Sequence, residues 1–172
     1  MDGLASRARA GWHALVFTGA TVGTLGVLSL LTDEPFVFPS LGPTAFLLFT
    51  TPLVEASAPR VVLGGHLIGV LAGWGALAVF GLLDSPAFFA APIDANRIAT
   101  AALALALTSG VMVWTGLVHP PAGATTLIVA LGVLRRPGEL AVLIGAVVLL
   151  VAQVHVCNRV AGLDVPRWSS RT

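Results

Sequence analysis

The sequence predicts an all-α integral membrane protein. Hydrophobic residues make up 56% of the 172 residues, charged residues make up only 10%, and the mean hydropathy is +0.94. A soluble domain carries about 25% charged residues, which it needs to cover its surface. This composition excludes an ordinary cytosolic domain, a disordered chain and a disulfide scaffold. Because no dense basic tract is present, nucleic-acid binding is not expected either.

Four long apolar runs predict four full transmembrane helices. A helix crosses the hydrocarbon core of a bilayer in about 20 apolar residues. The predicted helices span residues 12–31, 61–83, 96–117 and 140–158. A chain of this length has room for a single membrane domain over residues 1–172.

Two further apolar segments, about 36–53 and 119–134, are interrupted by proline and glycine near their starts. Proline removes a backbone donor and pushes the preceding residue away from helix. We therefore expect each segment to begin with an extended or turned stretch, Pro39–Thr44 in the first. A half-helix follows, over Thr44–Thr50 in the first and Thr125–Leu134 in the second.

The two halves of the chain align without a gap when the sequence is shifted by 81 residues. A shared P-x-x-G-x-T pattern brings three pairs into register: Pro39 with Pro120, Gly42 with Gly123, and Thr44 with Thr125. The alignment predicts two internal repeats, about 12–83 and 93–164. Each repeat consists of a helix, a broken segment and a helix.

Two topologies are open. If both broken segments cross the membrane, the chain crosses six times and the second repeat is inverted. If both re-enter, the chain crosses four times and the repeats are parallel. Each topology leaves the same excess of arginine on the side of the N-terminus, which predicts cytoplasmic termini but does not separate the two. We favour six crossings, because duplication of an odd-crossing unit places the two helix starts symmetrically about the midplane.

The broken segments are the candidate site. A helix that begins inside the membrane leaves its first N–H groups unpaired, and these groups and the helix dipole attract an anion. The candidate site therefore contains the backbone around Gly42–Thr44 and Gly123–Thr125 and nearby hydroxyl donors. Those donors belong to Ser40, Thr44, Thr125 and Thr126. Since neither segment contains Arg or Lys, the expected ligand is a small monovalent anion. The other interpretation is that both breaks are helix kinks or buried loops.

Histidines supply further candidates. His119 precedes two prolines and either lines the path, as a hydrogen-bond donor or proton carrier, or caps a helix end or hydrogen-bonds the backbone in a packed turn. His66 is a weaker candidate, with a helix–helix hydrogen bond as its alternative role. A metal site formed by His66, His119 and His155 is not expected, because no pair has the i, i+4 spacing of a helical metal motif. We predict no cofactor, and no catalytic pattern that would indicate an enzyme is present.

Glycine spacing predicts close helix packing. Gly65, Gly69 and Gly73 recur every four residues on one face of the second predicted helix. Gly19 and Gly23 do the same on the first. A helix face without side chains lets another backbone approach closely inside a membrane.

Three stretches carry a resemblance to a known family. His119–Thr125 reads HPPAGAT, Pro39–Ala45 reads PSLGPTA, and Ala58–His66 begins APR and ends GGH. The chain resembles the HPP family of integral membrane proteins over about residues 12–160. The resemblance implies four transmembrane helices. Plant plastid and cyanobacterial members are associated with nitrite transport, so it also implies nitrite as the anion.

The expected function is therefore that of a membrane transporter or channel for a small inorganic anion, most simply nitrite. The absence of lysine and the abundance of Arg and Ala suggest a bacterial inner-membrane protein. A chain this small has little room for a sheltered pathway of its own, so we expect a homo-oligomer in the lipid bilayer. The alternative is a non-transporting membrane subunit or scaffold that binds a partner through its glycine-rich helix faces.

Overall fold

The computed structural model describes residues 2–90, 92 and 94–169, with side chains from residue 6 onward. The part of the chain that it describes is helical and contains no β-strand. The helices are α1 (Asp2–Thr32), α2 (Leu41–Thr50), α3 (Pro59–Val79), α4 (Ala95–Thr115), α5 (Ala122–Ala130) and α6 (Pro137–Val160). A short 3₁₀ turn, Glu55–Ser57, precedes α3, and another, Phe88–Ala90, lies between α3 and α4.

The four long helices are α1, α3, α4 and α6, and each is long and apolar enough to cross a membrane. This confirms the predicted all-α membrane fold with four full spans. The helix predicted over 61–83 ends earlier, at Val79, because Gly81 adopts a left-handed conformation with φ of 65°. The Leu82 N–H then donates to the Leu77 carbonyl at 2.8 Å, which closes the helix end.

The first broken segment contains α2, which begins at Leu41 rather than at the predicted Thr44. The expectation that all of Pro39–Thr44 is extended or turned is therefore wrong. Pro43 lies in the first turn of the helix, where a backbone N–H has no intrahelical partner. Proline at this position costs the helix no hydrogen bond.

The second broken segment contains α5, which ends at Ala130 rather than at the predicted Leu134. Gly132 adopts a φ of 72°, and the Val133 N–H donates to the Ile128 carbonyl at 3.1 Å. This is the same left-handed glycine ending that closes α3.

The first broken segment runs from one end of the helical bundle to the other. It leaves the C-terminal end of α1, and by Leu48 it has reached the opposite end. There the Asn158 side chain of α6 donates to the Leu48 carbonyl at 3.0 Å, and its Oδ1 lies 3.0 Å from the Nε2 atom of His13, in the N-terminal half of α1. The segment therefore crosses the bundle and does not return to the end where it began.

The second broken segment crosses in the opposite direction. Its first residues lie beside the start of α3, where Leu117 packs against Gly64. Its end lies beyond the other end of α3, where the Phe88 N–H donates to the Leu131 carbonyl at 2.9 Å. The chain therefore passes six times between the two ends of the bundle.

The helices pack in a pattern that is unchanged when the first three are exchanged with the last three. Helix α2 packs on α1 and α6, and α5 packs on α4 and α3. The remaining pairs are α3 with α4, α1 with α6, and α3 with α6. An inverted duplication requires this pattern, which supports the two repeats as a hypothesis.

Glycines on α3 form the closest packing surface of the bundle. A Cβ atom added at Gly65, Gly69 or Gly73 would lie 2.7, 2.9 and 2.8 Å from the His119 Cβ, the Ala122 carbonyl oxygen and the Val129 Cβ, respectively. The predicted close approach is thus confirmed on α3, and its partner is the second broken segment.

The same prediction is wrong for α1 within one protomer. A Cβ atom at Gly19 or Gly23 would meet nothing within 4 Å. Helix α1 instead packs through larger residues such as Leu25, which is buried. Its glycine positions stay open.

We expect Gly69→Ala to destabilise the protein and Gly75→Ala to leave it stable. The new methyl group at residue 69 would meet a backbone carbonyl that cannot move aside, and overpacking of this kind costs about 1–3 kcal/mol. At Gly75 the same change on the same helix finds open space. Thermal unfolding in detergent measures both, and equal melting temperatures would contradict the described packing.

Cysteine labelling tests the six passes. In a Cys157→Ser background, Glu34→Cys and Glu55→Cys place single thiols at exposed positions before and after α2. A crossing segment puts the two thiols on opposite sides of the membrane, so an impermeant maleimide added to oriented vesicles should label only one of them. A re-entrant segment would put both thiols on the same side.

Candidate functional site

Four buried polar side chains meet where the two broken segments pass α3. They are Thr44 on α2, His66 on α3, His119 at the start of the second broken segment, and Thr125 on α5; each has a relative exposure of 0%. We call them the histidine–threonine cluster. Buried polar groups inside an apolar bundle are costly unless they are hydrogen-bonded, and these four are bonded to one another.

His66 is at the centre of the cluster. Its Nδ1 atom lies 2.8 Å from the Thr125 Oγ1, and its Nε2 atom lies 3.0 Å from the Thr44 Oγ1. Both ring nitrogens are therefore engaged, each by a hydroxyl from a different broken segment. His66 lies about two turns into α3, at the level where α2 and α5 pass it.

His119 completes the cluster. Its Nδ1 atom lies 2.8 Å from the Ala56 carbonyl oxygen and its Nε2 atom 3.2 Å from the Thr44 Oγ1. The two imidazole rings are 5.1 Å apart between centroids. This close approach depends on Gly65, since a side chain there would displace the Cβ atom of His119.

The two threonines occupy equivalent positions in the proposed repeats. Thr44 and Thr125 are superposed by the 81-residue shift, and they contact the two nitrogens of one imidazole. The positions equivalent to His66 and His119 hold Val147 and Phe38, which are buried and apolar. Each repeat therefore contributes one threonine and one histidine to the cluster, but the two histidines occupy positions that are not equivalent.

The prediction that the backbone N–H groups at the start of α5 are free to bind an anion is wrong. The first three N–H groups of this helix all donate to carbonyls of the preceding turn, at 3.0–3.1 Å; the pairs are Ala122 with His119, Gly123 with Pro120, and Ala124 with Pro121. Pro121 has helical dihedral angles of −57° and −26°, which turn these carbonyls toward the helix. Gly123 thus offers no free amide to an anion.

The start of α2 is satisfied only in part, because the Gly42 N–H has no hydrogen-bond partner among the described residues. The Leu41 N–H donates to the Phe38 carbonyl at 2.9 Å, and the Thr44 N–H donates to the Ser40 carbonyl at 3.4 Å. Ser40 also has helical dihedral angles, and Pro43 has no N–H. Gly42 has no neighbour within 4 Å of an added Cβ atom, so its surroundings are open.

Two predicted residues lie beside the cluster. Thr126 does not join it, because its Oγ1 lies 2.9 Å from the Thr108 Oγ1 of α4 and donates to the Ala122 carbonyl within α5. Ser40 is fully buried, one turn before Thr44, and its Oγ has no hydrogen-bond partner among the described residues. Thr126 therefore joins two helices, whereas Ser40 keeps an unused donor next to the cluster.

An apolar groove lies between the two breaks. It has a volume of about 420 Å³ and is lined by Pro43, Phe46, Leu47, Pro120, Pro121 and Ala124. Pro43 is next to Thr44 in the sequence, Pro120 is next to His119, and Ala124 is next to Thr125. These three cluster residues are buried behind the groove. A larger cavity of about 780 Å³ lies away from the cluster, near Arg159 and Arg167 at the end of α6. In this structure the cluster is closed to solvent.

His155 does not join the other two histidines. It lies on α6 beside Ser57 and Asn158, at the edge of a small pocket. Within residues 2–90, 92 and 94–169, no three His, Cys, Asp or Glu side chains come together in a way that could hold a metal ion. The histidine pair of the cluster is partnered by hydroxyls and a carbonyl.

The family model for the HPP transmembrane region matches residues 5–166, which is nearly the whole chain. The chain belongs to the HPP family. The sequence resemblance is thereby confirmed, and the structure places the histidine of His119-Pro120-Pro121 in the cluster. No curated protein sequence and no solved structure shows significant similarity to this HPP-family protein.

Sequence reasoning did not find two partners of these side chains. The Ala56 carbonyl engages His119, and Thr108 engages Thr126. No residue pattern identifies a backbone carbonyl as a partner, because every residue has one. Thr108 lies beside Ser109 in the middle of α4, and its polarity alone does not identify its partner.

We expect Thr44→Val to destabilise the protein more than Thr21→Val. The first change leaves the Nε2 atoms of two buried histidines without a partner, which costs about 1–3 kcal/mol for each unsatisfied group. Thr21 is also buried, but its hydroxyl has no partner to lose in the part of the chain that the structure describes. Melting temperatures in detergent compare the two, and an equal effect would mean that the cluster bonds contribute nothing to stability.

Proposed function

We propose that this HPP-family protein carries a small monovalent anion, nitrite or an anion of similar size and charge, across the membrane. The proposal is that of a transporter or channel and not of an enzyme. The observation that supports it best is the histidine–threonine cluster, which lies where two broken segments cross among four apolar spans. Polar groups held inside the bilayer at paired interruptions are typical of substrate sites in transporters.

Side chains, rather than the amides first expected, are the donors in this proposal. Ser40 offers a buried hydroxyl without a partner among the described residues, and Thr44 lies one turn further on, in α2. Neither broken segment carries a fixed positive charge. Neutral donors suit a weakly hydrated monovalent anion, whereas burial of a multiply charged anion would require cationic partners.

The closed cluster favours gated passage over a permanently open pore. All four of its side chains have a relative exposure of 0%, whereas the groups that line an open aqueous pore would be in contact with water. The groove between Pro43 and Pro120 separates the two broken segments just outside the cluster. Movement of one segment against the other at this groove would open a route to the cluster.

Nitrite as the specific anion rests on what is known of plastid and cyanobacterial members of the family. The geometry supports only the class of ligand. A bacterial inner-membrane location with both termini in the cytoplasm is likewise part of the proposal. The contact between His13 near the start of α1 and Asn158 near the end of α6 supports only the part that both termini lie on one side of the membrane.

One observation favours the alternative, a scaffold or subunit that binds a partner. Gly19 and Gly23 leave an uncovered small-residue face on α1, which a second copy of the chain or another protein could cover. The glycines of α3 are unavailable for this purpose because the second broken segment already covers them. Homo-oligomer formation through α1 is compatible with transport as well.

Nitrite entry into proteoliposomes tests the proposal. The protein should raise the rate above that of protein-free liposomes, and Thr125→Val should lower it about tenfold if the lost bond to His66 contributes about 1.4 kcal/mol to the transport barrier. Thr21→Val is the matched control and should transport normally. Absence of uptake by the unchanged protein would contradict transport, and equal rates in both variants would contradict a role for the cluster.

A further inference from the structure

The cluster forms one continuous hydrogen-bonded chain through the bundle. It runs from the Ala56 carbonyl to His119, then to Thr44, then to His66, and ends at Thr125. The four links measure 2.8, 3.2, 3.0 and 2.8 Å in this order. Three separate parts of the fold, α2, α3 and the second broken segment, contribute the side chains.

The carbonyl at one end fixes the direction of every link when both histidines are neutral. A carbonyl only accepts, so the Nδ1 atom of His119 must carry the hydrogen and donate to Ala56. The Nε2 atom of His119 is then bare and accepts from the Thr44 hydroxyl. Thr44 in turn accepts from the Nε2–H of His66, whose bare Nδ1 atom accepts from Thr125. The two histidines are therefore opposite tautomers.

The Thr44 hydroxyl has a second acceptor within reach. The cluster therefore has a second arrangement in which every polar group is hydrogen-bonded. The Thr44 Oγ1 lies 2.9 Å from the Ser40 carbonyl oxygen. If a proton binds the Nε2 atom of His119, the imidazolium donates to both Ala56 and Thr44, and the Thr44 hydroxyl turns to Ser40. One proton enters, none leaves, and no polar group of the cluster loses its partner.

The two histidines are the cluster's only source of positive charge. No charged side chain among the described residues hydrogen-bonds to either of them. The ionisable side chains described on the elements packed around the cluster lie toward the ends of the bundle; they are Arg7, Arg9 and His13 on α1, Glu55 and Arg60 beside the start of α3, Arg97 on α4, and Glu139, His155, Cys157 and Arg159 on α6. Burial costs even a weakly hydrated monovalent anion part of its hydration energy, and a positive charge beside the neutral donors lowers that cost.

We infer that the cluster binds one proton together with each anion, so that the protein is a proton–anion symporter. His119 holds the proton, Thr44 switches its hydroxyl from His119 to Ser40, and the free Ser40 hydroxyl is available to the anion. This inference rests on the proposed function, but the proton-binding cluster can be tested without any transport.

Nitrogen NMR of ¹⁵N-histidine-labelled protein in lipid bilayers is the first test. At neutral pH we expect His119 to carry its hydrogen on Nδ1 and His66 on Nε2, with signals assigned by His119→Gln and His66→Gln. On acidification His119 should gain a second proton, and sodium nitrite should increase the protonated fraction at a given pH. Identical tautomers, or no proton uptake while the protein stays folded, would overturn the inference.

Flux under separate gradients is the second test. With the membrane potential fixed by potassium and valinomycin, the initial rate of nitrite entry above that of protein-free liposomes should rise when the outside is made acidic. A one-to-one symporter moves no net charge, so its rate should not follow the potential. His119→Gln should lose the response to acid, and Thr21→Val should keep it.

The outcomes separate the two proposals. Entry that follows the potential and ignores the pH gradient would overturn symport and leave anion transport standing, as for a channel. No entry above protein-free liposomes under any gradient would contradict the proposed function and symport with it. In that event the NMR result still decides whether the cluster binds a proton.

Discussion

Every backbone polar group inside a bilayer must find a partner within the protein, and this constraint shapes the whole molecule. Prolines at positions 39, 43, 120 and 121 interrupt two apolar segments at a depth where no water is available to hydrogen-bond the backbone groups that they leave unpaired. The chain meets much of the constraint with tight turns, in which carbonyls just before α5 accept from its first three amides and the Phe38 carbonyl accepts from the first amide of α2. It also presses the second break against the glycine face of α3. The breaks are thereby fixed at a common depth, beside His66.

The proposed function depends on the polar side chains at the two broken segments. The first amides of α5 are used up, but Thr44 and Thr125, each in the first turn of its short helix, point hydroxyls at the same imidazole from two sides. His119 joins because the two prolines after it keep it out of the helix, and because Gly65 leaves room for it. The result is a small polar chain with no fixed charge in an apolar bundle. Such a chain suits transient occupation by a proton and a small anion.

The sequence predicted features that depend on local chemistry. Hydropathy located the four spans, proline located both breaks, and glycine spacing located the packed face of α3. The sequence singles out Ser40, Thr44, His66, His119 and Thr125, because polar residues are conspicuous in apolar segments. What the sequence did not predict depends on dihedral angles and on distant partners. The turn at Pro121 uses up the amides of α5, the Ala56 carbonyl lies 63 residues from His119, and the glycines of α1 face no helix of the same chain.

The most direct test of this account measures whether the two broken segments meet at His66. Solid-state NMR in lipid bilayers measures dipolar couplings between the two imidazole nitrogens of His66 and ¹³C-labelled side chains of Thr44 and Thr125. The account predicts a strong coupling of Nε2 to Thr44 and of Nδ1 to Thr125, as hydrogen-bond distances of 3.0 and 2.8 Å require. If either threonine shows no coupling to the ring, the breaks do not converge, and the proposed anion site does not exist.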